Sequence, residues 1–168
     1  MASSSNHHRA PEELALAFSG PLGQWGRAVD LERARLMDET DPDLQSADAA
    51  LLVVAVRNVV RLARAVAALR KDPELNAAIT VVDSMVPGAR SVRVPLDHVD
   101  DYAVHRRRFL PSGRQKAGHR VAFERTDARG VVYVGELAFD VDVATNAAQA
   151  LTEATLNAIN RMAAVTSG

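Results

Sequence analysis

Residues 41–69 read DPDLQSADAALLVVAVRNVVRLARAVAAL, and this stretch decides the fold class. It opens with Asp41-Pro42, a side chain able to accept from free helix N–H groups followed by a ring suited to a first turn. Leu52, Ala55, Val56, Val59, Leu62, Ala63, Val66 and Leu69 then recur at helical spacing and cover more than half the circumference. Such a helix must be buried on two sides, by the rest of a bundle or by a second copy of the chain. On its polar side Arg57, Arg61 and Arg64 fall at i, i+4 and i+7, a basic stripe that either contacts phosphates or is simply solvated.

Working outward, Asp72-Pro73 repeats the capped start and predicts a shorter helix to about residue 84, closed by Pro87-Gly88. A helix over about 91–109 follows, with Pro95 near its first turn, and Pro111-Ser112-Gly113 ends it. Residues 120–126 and 131–142 carry β-branched and aromatic side chains around Asp127-Ala128-Arg129-Gly130, a hairpin pattern. A second tight turn at Gly135-Glu136 would make three short strands. The helical period returns over 144–162. Toward the N-terminus, residues 11–18 predict a short helix, Ser19-Gly20-Pro21-Leu22-Gly23 an interruption, and residues 24–37 a second helix. Residues 1–10 read as a loose tail. The expected fold is mainly α, a bundle of about four main helices with a small β-hairpin at about 119–142 before the last one. Residues 11–168 would form one domain.

The composition narrows the chemistry. The chain has 168 residues, 48% hydrophobic and 24% charged, which is globular usage. With 20 basic and 21 acidic side chains, no global field favours nucleic acid or a membrane. The absence of cysteine excludes a disulfide scaffold, a thiolate nucleophile and Cys-ligated metals. No apolar run approaches the roughly 20 residues of a bilayer span, and residues 1–11 lack the pattern of a secretory signal, so a cytoplasmic protein is expected. Glycine-rich phosphate loops, nucleophile elbows and His-Glu-x-x-His motifs are missing. Charge is nevertheless uneven: residues 105–129 hold eight basic side chains against Glu124 and Asp127.

The densest reactive cluster is Arg90, Arg93, His98, Asp100, Asp101, Tyr102 and His105. On a helix His98, Asp101, Tyr102 and His105 share one face, with Arg93 flanking it near the start. An imidazole titrating near neutrality can exchange a proton with a ribose hydroxyl, and a guanidinium can offset charge on a phosphorane-like transition state. Arg106, Arg107 and Arg108 would add phosphate contacts, or complement the negative end of the helix.

Arg93-Val94-Pro95-Leu96-Asp97-His98 resembles the R-x4-6-H motif of HEPN-domain proteins. Those are helical bundles, many of them metal-independent endoribonucleases of toxin–antitoxin and defence systems, often with two copies of the motif meeting across a dimer. The resemblance implies Arg93 as the phosphate-stabilising group and His98 as the acid/base; Tyr102, one turn later, would orient the histidine. It also implies a homodimer, with RNA or an antitoxin-like protein as partner, and no cofactor. The chain departs from the pattern at Val94, where a polar residue is common, at Pro95, and at Asp100, where some members carry tyrosine. Asp97, Asp100 and Asp101 would raise the His98 pKa and repel phosphate.

Two other readings use the same residues. His98, Asp101 and His105 supply metal-ligand types, but three ligands along one helix span about 10 Å of rise, so two of them with His119 or Glu124 fit an ion better. Alternatively the bundle is a non-enzymatic interaction module, with His98 tied to Asp101 and an apolar patch exposed elsewhere.

Overall fold

The computed structural model describes residues 10–69, 71–86, 121–126, 129–134 and 137–166. They form helices α1 (Pro11–Asp38), α2 (Pro42–Leu69) and α3 (Pro73–Met85). Strands β1 (Val121–Thr126), β2 (Arg129–Val134) and β3 (Leu137–Asp140) and helix α4 (Val141–Thr166) complete the order. The expected architecture, a helical bundle with a small antiparallel element before the last helix, is the one observed. The helix predicted over 91–109 lies outside the described residues.

Both capped starts form as the sequence predicts. Asp41 Oδ1 accepts from the Asp43 N–H at 2.9 Å, and Asp72 Oδ1 accepts from the Leu75 N–H at 2.9 Å. Each satisfies a donor that the first helical turn leaves without an internal partner. α2 is the central element, packed by α1, α3, α4 and β1. Residues 52–56 are buried without a gap, and five consecutive positions exceed one turn, so at that level no side of α2 faces water. At that level a single chain encloses α2 by itself, whereas Leu62 and Leu69 farther along are only partly buried.

The interruption expected at residues 19–23 does not occur: α1 is one helix of 28 residues with Pro21 inside it. Ala15, Phe18, Leu22, Trp25, Val29, Glu32 and Leu36 follow each other at alternating steps of three and four, and the stripe stays in phase through Pro21. Ala15, Leu22, Val29 and Leu36 are fully buried, while Phe18 and Trp25 pack partly buried against the same core. An interior proline costs about 3 kcal/mol, and fully burying Leu22 and Val29 recovers about 1.5–3 kcal/mol each. Ala17, whose carbonyl loses its partner because Pro21 has no N–H, is exposed, so water can take up that bond.

α1 crosses α4 at Gly26. A Cβ there would stand 3.1 Å from Thr152 Cγ2, and the Gly26 carbonyl accepts from Gln149 Nε2 at 2.9 Å. Arg33 bonds Asp142 at 2.7 Å farther along the same seam. α4 is held to α3 by Arg161, which reaches Asp72 at 2.7 Å and Glu74 at 3.2 Å.

The sheet has the order β1-β2-β3, all antiparallel, with Phe123 opposite Val132 and Val132 opposite Phe139. Thus the third strand is present. Thr126 pairs with Arg129, so only two residues connect β1 to β2, and Arg129 and Gly130 belong to the ladder instead of to a four-residue turn. Gly130 is required by packing: a Cβ would sit 2.7 Å from the Phe123 ring and 3.1 Å from Met37 Sδ. The second predicted strand also ends early. Its in–out alternation stops at Asp140, whose Oδ1 accepts from the Asp142 and Val143 N–H groups at 2.9 and 3.0 Å. That cap turns the chain directly into α4, which starts three residues before the expected position.

Candidate functional site

The arginine stripe of α2 is described in full, and its three members differ. Arg64 is half-buried and its NH2 donates to both carboxylate oxygens of Asp83, at 2.7 Å to Oδ1, fastening α2 to α3. It is a structural tie between the two helices. Arg57 is half-buried and Arg61 exposed, and neither forms an ion pair with another described residue. By contrast Arg33, Arg35 and Arg161 all hold carboxylates, and Arg125 donates to the Met37 carbonyl at the end of α1. A cation at a helix C-terminus satisfies an orphan carbonyl and offsets its partial negative charge. Among the described residues, then, Arg64 of the stripe is held by a carboxylate and Arg57 and Arg61 are not.

Arg93, His98 and Tyr102, the residues assigned to chemistry, lie outside the described residues, as do Arg106, Arg107, Arg108, Asp101, His105 and His119. Their chain connectivity is informative. Residues 87–120 join α3 to β1, and both of those elements pack against α2, the helix that bears Arg57 and Arg61. The same residues hold eight basic and three acidic side chains, a net of plus five, so the other 134 residues, with twelve basic and eighteen acidic, carry minus six. Three of the five histidines also fall there. Positive charge and imidazole are concentrated in one fifth of an otherwise acidic chain.

Glu124, considered as a distant metal ligand, is on the exposed part of β1 and accepts from the Tyr133 hydroxyl at 2.9 Å. The hydrogen bond to that carboxylate holds the Tyr133 hydroxyl above its ordinary pKa, with burial and the Glu124 charge acting in the same direction. Among the described residues no group of three His, Cys, Asp or Glu side chains is placed to hold a metal ion.

One polar site escaped the sequence reading. Glu32 is 8% exposed, and its Oε2 is buried without a hydrogen-bond partner among the described residues. The available signal was its place on the stripe between Val29 and Leu36. Among the described residues no helix is long and apolar enough to cross a membrane. Comparison with protein-family models, with curated proteins and with solved structures found no match for this chain.

Proposed function

We propose that the protein cleaves RNA without a metal, using His98 as acid/base and Arg93 as the group that stabilises the phosphorane-like transition state. The observation that carries this reading is the Arg93-x4-His98 pair inside residues 87–120, which hold a net charge of plus five while the rest of the chain holds minus six. A polyanion is attracted to that region and repelled by the remainder. Arg57 and Arg61, on the helix against which both flanking elements pack, supply further phosphate contacts. Tyr102 orients His98, and Arg106, Arg107 and Arg108 extend the basic surface. An antitoxin-like protein partner and assembly as a homodimer belong to the same reading.

In the reaction His98 takes the proton of a ribose 2′-hydroxyl, whose oxygen attacks the adjacent phosphorus. The bond to the 5′-oxygen breaks, that oxygen takes a proton from water, and the protonated His98 returns its proton to the solvent. Arg93 offsets the charge that builds on the non-bridging oxygens. The fragments carry 2′,3′-cyclic phosphate and 5′-hydroxyl ends. End analysis of RNA incubated with the protein in excess EDTA tests this. Cyclic phosphate ends support it; 3′-hydroxyl ends with 5′-phosphates, or intact RNA, overturn it.

A second reading, a non-enzymatic interaction module, is favoured by the outer face of α3. Ala77, Val81 and Met85 are exposed there at i, i+4 and i+8, with Val81 49% and Met85 46% accessible. Intact RNA together with a protein ligand lost on Val81→Glu would establish it.

A further inference from the structure

Glu32 occupies a position on α1 where the stripe otherwise places apolar side chains. Val29 before it and Leu36 after it are fully buried, and α1 presents this stripe to the core it shares with α2. Two charged groups act on its carboxyl. Arg35, one turn along the same helix, donates from NH1 to Oε1 at 3.1 Å, and Asp48 of α2 contributes a like charge. Toward α4, Arg33 and Asp142 neutralise one another, and at the sheet end Arg125 is engaged by the Met37 carbonyl. Oε2 is left buried with no donor among the described residues.

An ionised carboxylate in this position keeps one oxygen desolvated and unpaired beside a second carboxylate. A neutral acid removes the buried charge and the repulsion from Asp48 together. We propose that Glu32 is a proton-operated latch between α1 and α2: neutral, it lets the two helices close, and on ionisation it draws water to Oε2 and loosens the seam. Burial pushes the carboxyl above its ordinary pKa of 4.5, the Arg35 cation pulls it down, and Asp48 pushes it up again. Because the folded state then holds its proton to higher pH than the unfolded chain, the contribution is complete below the ordinary glutamate value. It is lost as pH rises through the folded one.

The test compares urea unfolding midpoints of the full chain and its Glu32→Gln and Asp48→Asn variants from acid to neutral pH. Glutamine keeps the shape and an acceptor for Arg35 while it cannot ionise. The expected result is equal midpoints for parent and Glu32→Gln in acid, then a widening advantage for the variant that levels off once native Glu32 has ionised. In the Asp48→Asn background the advantage of Glu32→Gln begins at the same pH but levels off at lower pH and at a smaller value. Carbon-13 spectra of the folded parent should show one glutamate carboxyl titrating above the rest and absent from Glu32→Gln, a readout independent of stability. A Glu32→Gln variant no more stable than the parent at neutral pH, or a pH-independent difference, overturns the proposal and makes Glu32 an ionised partner of Arg35.

Discussion

Replacing Pro21 with alanine tests whether α1 runs unbroken from Pro11 to Asp38. Proline in a helix interior is about 3 kcal/mol worse than alanine, since it removes a hydrogen bond and crowds the preceding turn. Pro21 is exposed, so its replacement removes little packing, and hydration of the exposed Ala17 carbonyl already offsets part of the cost. A net gain of about 2 kcal/mol is expected, which for a chain of this size raises Tm by about 4–8 °C. Gly20→Ala is the companion variant. A Cβ at Gly20 meets nothing within 4 Å, so only the backbone term acts, and about 0.5–1 kcal/mol of stabilisation follows. Thermal and urea unfolding followed by far-UV circular dichroism measures both. If residues 19–23 formed a break between two helices, neither alanine would stabilise the protein, and that outcome would refute the continuous helix and the packing argument that explains it.

Gly130→Ala should destabilise by about 1–3 kcal/mol, because its Cβ overlaps the Phe123 ring. Trimming that ring with Phe123→Leu in the same chain should return part of the loss in urea unfolding. Asp72→Ala removes a helix cap and should cost about 1 kcal/mol at neutral pH. The Arg161 hydrogen bond and then the Leu75 N–H hold the Asp72 carboxyl below its ordinary value of 3.8. Its contribution is therefore present above that value and lost as pH falls through the folded one, so the variant and parent should converge in acid. Arg64→Ala should lower stability by about 0.5–1 kcal/mol through loss of Asp83. Arg61→Ala should leave unfolding unchanged and reduce the salt dependence of RNA binding by about one counterion.

How far the sequence was legible depended on whether local signals agreed. At Asp41-Pro42 and Asp72-Pro73 cap, proline and apolar period point the same way, and α2 and α3 start as expected. In α1 they conflict. Ser19, Gly20, Pro21 and Gly23 each disfavour helix, whereas Ala15, Leu22, Val29 and Leu36 recur every seven residues through them, and tertiary burial outweighs the local penalty. Between β3 and α4 the misleading signal was alternation itself. Leu137, Phe139, Val141 and Val143 keep a period of two, and only the Asp140 cap marks where strand becomes helix.

The candidate site shows the same division. The arginine stripe was visible as spacing, yet which arginine is occupied depends on Asp83, nineteen residues away and brought near by the α2–α3 packing. Glu32 looked like one more charge on a mixed helix until the stripe through Pro21 placed it inward. The concentration of positive charge in residues 87–120 is a property of the sequence alone, and it became informative once both flanking elements were seen to rest on α2.

Cleavage of single-stranded RNA in excess EDTA, by the full chain beside His98→Ala with both confirmed folded, tests the central claim most directly. Cutting by the parent is expected, with a loss of about a hundredfold or more in the variant, the scale of removing a general acid/base. Equal cutting by both proteins, or none by the parent, would contradict it.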